Sequence, residues 1–228
     1  MLNYRKWTRI GEQIWEDIYF LHWPVNKEEI RSYIPEPFTI NEYEGMAWLS
    51  IVIFTARHTK FRKFPKALSY PSFHQINVRT YVNFGIEKGV YFFSIYANDP
   101  LFVKGGNLIN LPFINSRIKR GPFSTEIADG KLSCTFSKTE LENKFIPKRG
   151  SLEHFLTEKY CIWSLRGNKI IKLPITHLPW ALQRVEVMIK ENRLIGEKTL
   201  SKNPPIAYYA PSMTAFIHPP ENFGIYKK

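Results

Sequence analysis

Cysteine is scarce in this chain. The 228 residues include two cysteines, Cys134 and Cys161. Two cysteines exclude a disulfide framework and a four-cysteine zinc site, so we predict two buried free thiols. No pair of histidines has the close spacing that a metal site requires. We therefore predict neither a metal nor a cofactor.

Long apolar runs are also missing. No stretch approaches the ~20 apolar residues of a membrane span, and the first ten residues lack the apolar centre of a signal peptide. We therefore expect a cytoplasmic protein with no membrane partner.

Acidic residues are outnumbered. Lys and Arg total 32 against 20 Asp and Glu, for a formal charge of +12, which favours nucleic acid, anionic membrane surfaces or acidic ligands as partners. The more common explanation is a soluble protein with a basic surface. Residues 57–66 combine basic residues with Phe, and the basic residues 117–120 lie between Phe113 and Phe123, as in single-stranded nucleic-acid sites. No RNA-recognition signature or DNA-reading helix accompanies them, so we do not favour nucleic acid.

Apolar residues, by contrast, are plentiful enough for a large core. They make up 44% of the chain and aromatics 15%, and no compositional shift marks a linker, so we predict one domain over residues 1–228. Turn signals and period-two alternation predict a mainly β (α+β) fold with about ten to twelve strands. Two or three short helices are predicted, near residues 7–14, after Asn26, and over residues 152–160 behind Ser151. Residues 57–70 are predicted to form an exposed loop.

The most informative stretch is a predicted β-hairpin over residues 75–97. Strand side chains alternate, so Asn77, Arg79 and Tyr81 share one face of its first arm. The opposite face carries Ile76, Val78, Thr80 and Val82. If the polar face points into a closed sheet, Arg79 is a buried cation that needs an anion, either a bound carboxylate or phosphate or a structural partner such as Glu126 or Glu186. An outward-facing Arg79 is the remaining alternative.

Four further residues are candidates for chemistry. His22 and His177 each stand close to a Trp and a Pro and would titrate in a useful range as general bases, although such histidines are more often core residues. Lys104 precedes Gly105-Gly106, which would let a substrate approach closely; a solvated lysine is the alternative. Ser94 could donate a hydrogen bond to a ligand, but no base adjoins it in sequence.

Several segments resemble one bacterial family. They are His22-Trp23-Pro24-Val25, residues 77–82 (Asn-Val-Arg-Thr-Tyr-Val), and the segments 89–94, 111–113, 152–160 and 177–183. In order and spacing they resemble the YqjF-like family, a domain of unknown function numbered 2071, over nearly the whole chain. The Asn-Val-Arg-Thr-Tyr-Val run is the most specific of them.

This resemblance implies a fold similar to acetoacetate decarboxylase, a cone-shaped antiparallel β-barrel with its site in the interior. That decarboxylase uses a Schiff-base lysine whose pKa is lowered by a neighbouring lysine. The Glu-Lys-Lys signature is absent here. The Lys-Lys pair is Lys227-Lys228, and the nearest echo of the signature is Glu87-Lys88-Gly89. Gly105-Gly106 stands where the family is expected to carry Ala-Arg, so an anion-binding arginine is missing at that point.

Three functional hypotheses follow. The leading one is a protein that binds a small organic acid inside the barrel, with Arg79 as anion clamp and Asn77, Tyr81 and Ser94 as further ligand-binding residues. The second is an enzyme, a decarboxylase-like or other lyase acting on a small keto acid through an interior lysine, for which Lys104 is the candidate. The third is a basic interaction or nucleic-acid-binding protein. Whether the chain forms a homo-oligomer is left open.

Overall fold

A computed structural model describes residues 9–62, 70–127, 130–137, 143–194 and 204–226. Within these ranges the chain is mainly β, as predicted. In chain order the strands are β1 (Gly11–Val25), β2 (Thr39–Ile40), β3 (Ala47–Phe61), β4 (Phe73–Phe84), β5 (Glu87–Ala97), β6 (Phe113–Asn115), β7 (Ile118–Gly121), β8 (Ser124–Ile127), β9 (Leu132–Ser137), β10 (Cys161–Arg166), β11 (Lys169–Thr176), β12 (Gln183–Arg184), β13 (Glu186–Asn192), β14 (Ile206–Ile217) and β15 (Glu221–Ile225). The helices are α1 (Lys27–Arg31), α2 (Pro100–Leu108) and α3 (Leu152–Thr157).

The main sheet curls until its two ends pair. Its strands follow the order β14, β1, β3, β4, β5, β10 and β11, and β11 pairs again with β14. That last contact joins Ile175 to Ile217 and Thr176 to Phe216. The pairing is not uniformly antiparallel, because β10 runs parallel to β5 and so does the short β6. Side chains on the inner face of this curled sheet are therefore enclosed on most sides.

The predicted hairpin is formed by β4 and β5 around the turn at Gly85, whose φ is +57°. Its register shifts once, because Val78 pairs with Ser94 while Arg79 pairs with Phe92. Phe93 is the extra residue of this β-bulge, which reverses the alternation of side chains along β5. Val90 and Phe92 therefore share an inner face with Ile95 rather than with Ser94.

A second, smaller sheet packs outside the first. It has the order β13, β9, β8 and β7, and Phe136 of β9 stacks on Tyr19 of β1 with 3.7 Å between ring centroids. The sequence pattern around Glu191-Asn192 predicts a hairpin of residues 181–190 with residues 193–199, which is wrong for β13, since it pairs with β9 instead. Residues 195–199 lie outside the described ranges. Pairing with β9 extends a sheet whose apolar face covers Tyr19.

The structure confirms the predicted start of two helices. Asn26 precedes α1, and the Ser151 hydroxyl accepts a hydrogen bond from the backbone N–H of His154 at the start of α3. The helix predicted near residues 7–14 is wrong from residue 11 onward, because β1 begins there; residues 1–8 lie outside the described ranges. The loop predicted over residues 57–70 is wrong up to Phe61, which ends β3. Residues 63–69 also lie outside the described ranges.

Helix α2 was missed altogether. Pro100 at its first turn and the Asp99 side chain, which accepts from the N–H of Phe102 at 2.8 Å, are ordinary helix-start signals. The pair Gly105-Gly106 obscured them, since glycine disfavours a helix interior. No helix of the described chain is long and apolar enough to span a membrane.

Candidate functional site

A large cavity lies against the inner face of the curled sheet. Its volume is about 700 Å³, and β1, β3, β4, β5, β10, β11 and α2 all contribute to its wall. Most of the lining is aromatic or aliphatic, and the described lining residues include no Asp or Glu. Cavities of 300–1,000 Å³ with few polar groups are typical small-molecule sites.

The inner face of β4 supplies part of the polar lining. Gln75, Asn77 and Arg79 alternate into the cavity, and Gln75 Nε2 donates to Asn77 Oδ1 at 2.7 Å. This is the row that the hairpin pattern predicts. We call Gln75, Asn77 and Arg79, together with Lys159 and His177, the polar wall.

Arg79 faces the cavity without a carboxylate partner. Its Nη2 donates to the Leu156 carbonyl at 3.3 Å, and its buried Nε has no hydrogen-bond partner among the described residues. The two expected structural partners, Glu126 and Glu186, lie exposed on the second sheet. Within the described ranges, no ion pair involves Arg79, because no carboxylate oxygen lies within 4.0 Å. A ligand anion would supply the charged hydrogen-bond partner that this guanidinium lacks.

Lys159, which follows α3, brings a second cation to the cavity. Its Nζ lies 5.3 Å from the ring centroid of Tyr81, and Arg79 Cζ lies 5.9 Å from the same centroid. Burial is the main cause that lowers the pKa of Lys159 to about 7, and the positive charges of Lys88 and Arg79 contribute to the same shift. A lysine with so low a pKa has a substantial neutral fraction at neutral pH, and the neutral amine is the form that acts as a nucleophile.

The position of Lys159 is fixed by hydrogen bonds to the end of α3. The Tyr81 hydroxyl donates to the Leu156 carbonyl at 2.8 Å, and Trp180 Nε1 donates to the Thr157 carbonyl at 3.1 Å. The parallel contact of β5 with β10 explains the approach of Lys88, whose carbonyl accepts from Cys161 Sγ at 3.3 Å. Two lysines far apart in sequence thus become neighbours.

His22 and Tyr81 belong to a buried network beneath the cavity wall. His22 Nδ1 lies 2.6 Å from Ser50 Oγ, which lies 2.6 Å from the Tyr81 hydroxyl. All three residues are fully buried, and none of them lines the cavity. Burial holds the pKa of His22 well below its usual range, so its ring is neutral and packs as a core histidine. Tyr81 supports the end of α3 from below, where we had expected it to contact a ligand.

His177 lines the cavity, where a general base would have to lie to reach a ligand. Its Nδ1 donates to the Leu178 carbonyl at 2.7 Å, and its ring stacks on Tyr160 with 4.7 Å between centroids. Burial lowers its pKa below the ordinary value. A neutral imidazole therefore stands in the polar wall.

Lys104 and Ser94 are not brought into the cavity wall. Lys104 is exposed on α2, while its neighbours Gly105 and Gly106 line the cavity. A Cβ at Gly106 would lie 2.2 Å from the Phe113 ring, so glycine is required there for α2 to pack. Ser94 is buried outside the cavity because the bulge at Phe93 reverses its orientation.

The residue that sequence reasoning missed is Lys159. It lies in the segment 152–160 already noted for its resemblance, and it follows Glu158, so that it belongs to one of three Glu-Lys pairs in the chain, with Glu87-Lys88 and Glu197-Lys198. The sequence of this segment does not indicate that the chain turns towards the cavity where α3 ends. Trp15 and Trp180, which also line the cavity, carry no alternation signal of their own.

Part of the basic surface is neutralised by neighbours. Arg57 Nε lies 2.5 Å from Glu16 Oε2, and Lys60 Nζ lies 3.0 Å from Glu12 Oε1. Arg120, in the second basic segment, donates to the Asp17 carbonyl at 2.8 Å. Lys63 and Lys66 lie outside the described residues. These contacts use charges that a nucleic-acid phosphate would otherwise bind.

Solved structures with the same fold include two enzymes. An enduracididine biosynthesis enzyme, MppR, complexed with pyruvate matches with a TM-score of 0.70 at 8% identity, covering 99% of this chain and 95% of that one. Acetoacetate decarboxylase from Legionella pneumophila matches with a TM-score of 0.62 at 10% identity, covering 97% and 90%. At these identities the similarity establishes the fold.

Sequence comparison identifies closer relatives. "Uncharacterized protein YqjF" from Bacillus subtilis (strain 168) is 29% identical over 220 residues, covering 92% of this chain and 91% of the relative. Residues 12–214 match the DUF2071 family, described as "Uncharacterized conserved protein (COG2071)". The chain therefore belongs to the DUF2071 family and has the acetoacetate decarboxylase-like fold that the sequence resemblance implied.

Proposed function

We propose that this protein binds an organic acid that carries a carbonyl group, with Arg79 holding the carboxylate and Lys159 forming an imine with the carbonyl. The observation that carries the proposal is that the Arg79 guanidinium and the Lys159 amine share an apolar cavity whose described lining contains no carboxylate. A charge in such surroundings is costly unless it is paired. An anionic ligand supplies the missing partner.

Arg79 suits the carboxylate because its planar guanidinium presents parallel N–H donors. One of its donors is engaged by the Leu156 carbonyl, and its Nε is unsatisfied among the described residues. Asn77, next along the same face, provides an amide beside it. A carboxylate bound there would be held in a fixed orientation.

Lys159 suits the carbonyl because its pKa of about 7 leaves a large neutral fraction at neutral pH. The Nζ lone pair attacks the carbonyl carbon, and the carbonyl oxygen leaves as water after accepting one proton from Nζ and one from solvent. The product is a protonated imine, which withdraws electrons from the adjacent carbon. In a 3-oxo acid those electrons come from the bond to the carboxylate, which leaves as carbon dioxide.

The fold neighbours support this ligand class by analogy. One is a structure complexed with pyruvate and the other is named an acetoacetate decarboxylase, so each is associated with a keto acid. Fold alone does not transfer a reaction. The described cavity wall also lacks a carboxylate that could move protons, which favours binding without turnover as the second candidate.

Borohydride trapping tests the imine. The protein is incubated with pyruvate or acetoacetate, reduced, digested and mapped by mass spectrometry. We expect a reduced adduct on Lys159 in the wild type and none in Lys159→Met. Lys104→Met is the matched control, since Lys104 is exposed on α2, and it should retain the adduct. Adducts that persist in Lys159→Met, or the absence of an adduct with these two acids and also with 2-oxooctanoate, would overturn the imine.

A further inference from the structure

We infer that the natural ligand is an oxo acid with a bulky apolar tail, an alkyl chain of roughly five or more carbons or an aryl group, rather than a compact acid such as pyruvate. This inference rests on the proposed function and specifies its ligand. The first reason is size. A cavity of about 700 Å³ lies in the range that encloses drug-sized ligands, and pyruvate would leave most of it unfilled.

The second reason is that polar groups away from the polar wall satisfy one another. Gln13 and Thr59 also line the cavity, and Gln13 Nε2 donates to Thr59 Oγ1 at 2.8 Å. Gln13 Oε1 accepts from Trp15 Nε1 at 2.6 Å. The polar atoms in these bonds do not require a ligand partner. The ligand's second end therefore needs no polar group.

The third reason is a cluster of aromatic rings beside the polar wall. Trp15 lies 4.9 Å from Phe54, Phe20 lies 4.9 Å from Trp180, and the two Trp rings stack at 6.2 Å between centroids. We call Trp15, Phe20, Phe54 and Trp180 the aromatic end. All four residues line the cavity, and rings of this kind bind apolar groups by burying large areas.

The two parts of the cavity are contiguous. The Trp180 ring lies 4.9 Å from His177, and its Nε1 is already engaged by the Thr157 carbonyl. A ligand held through Arg79 and Lys159 would thus extend its tail past His177 towards the aromatic end. The carboxylate and carbonyl of the ligand would contact Arg79 and Lys159, and its tail would contact the aromatic end.

Apolar side chains also extend from the cavity to the surface of α2. Leu101 is 73% exposed and Ile109 is 40% exposed, and both line the cavity. Gly105 lies between them in sequence, and a Cβ there would meet nothing within 4 Å. Exposed apolar residues at a cavity opening are typical of sites that admit apolar ligands.

A ligand series tests the inference without altering the protein. Dissociation constants are measured by calorimetry for pyruvate, 2-oxohexanoate, 2-oxooctanoate and phenylpyruvate. Each buried methylene contributes about 0.8 kcal/mol, which is about a fourfold change in affinity. We expect the dissociation constant to fall more than a hundredfold (~10²) from pyruvate to 2-oxooctanoate. Equal constants across the series would overturn the apolar tail and leave the imine proposal intact.

Variants locate the tail. Trp15 belongs to the aromatic end and pairs with Ala56 rather than with a residue of the polar wall, so Trp15→Ala should weaken 2-oxooctanoate about tenfold and leave pyruvate unchanged. Gly105→Leu fills open space on α2 and should have the same selectivity. Ile86→Phe, at a position that is 97% exposed, is the control. Long acids bound equally well by Arg79→Met would support the tail but overturn the clamp. Binding of no acid in the series would overturn both.

Discussion

The two cations of the cavity reach it by different routes. Arg79 arrives on a regular strand, where alternation along β4 directs Gln75, Asn77 and Arg79 to one face. Lys159 arrives at a junction, where α3 ends and the chain enters β10. One position is dictated by local geometry, and the other by contacts between distant segments. The strand provides a rigid clamp, and the junction provides a nucleophile whose pKa depends on its neighbours.

The difference extends to what surrounds each group. The Arg79 position depends on pairing of β4 with β3 and β5 across long registers. The Lys159 position depends on a few side-chain bonds, from Tyr81 to the Leu156 carbonyl and from Trp180 to the Thr157 carbonyl. Loss of either hydrogen bond should therefore displace Lys159 and alter its chemistry, whereas substitution of Arg79 should remove binding.

The largest effect is expected at Arg79. A hydrogen bond to a charged group contributes roughly 1.5–3 kcal/mol, so Arg79→Met should weaken binding of 2-oxo acids by about ten- to a hundredfold. Arg79→Lys keeps the charge but loses the planar fork, so an intermediate loss is expected. Calorimetric titration measures both. Equal affinity in wild type and Arg79→Met would remove the clamp, and the unliganded melting temperature of each variant controls for structural damage.

The sequence alone predicted that Arg79 lies on the inner face of a strand, but it did not predict the position of Lys159. Period-two alternation gave the correct inner face of β4, and cap signals gave the starts of α1 and α3. The same alternation failed on β5, because an extra residue at Phe93 reverses the side of Ser94. Nothing local predicts that parallel pairing of β5 with β10 brings Lys88 near Lys159, since that contact joins segments about seventy residues apart.

An intermediate effect is expected on the pH dependence of imine formation. With a Lys159 pKa of about 7, the neutral amine fraction, and hence the trapping rate, should rise between pH 6 and 8 and level off above, by about tenfold in total. Lys88→Met removes a positive charge that lowers this pKa, so the midpoint should move to higher pH. Burial remains the largest cause, so the midpoint should stay below the ordinary lysine value. Rates of borohydride trapping against pH measure it.

Lys119→Met is the matched control for that profile, because it removes an exposed lysine of the second sheet, away from the cavity. Its midpoint should equal that of the wild type. A profile unaltered by Lys88→Met would mean that Lys88 does not act on Lys159, and a wild-type midpoint near 10.5 would mean that the amine is not buried in solution.

The smallest effect is expected at Ser94, where the regular and irregular arms of the hairpin can be compared directly. On uninterrupted alternation Ser94 would share the face of Val90 and Phe92 and contact a ligand, whereas the bulge turns it away from the cavity. Ser94→Ala should therefore change the dissociation constant of a 2-oxo acid by less than about twofold, while Asn77→Ala, on the regular arm, should raise it by about five- to tenfold, the loss of one hydrogen bond. Because the Ser94 hydroxyl is buried without a partner among the described residues, its removal should also leave the melting temperature equal or higher. A loss of affinity in Ser94→Ala as large as in Asn77→Ala would mean that β5 pairs in solution without the bulge.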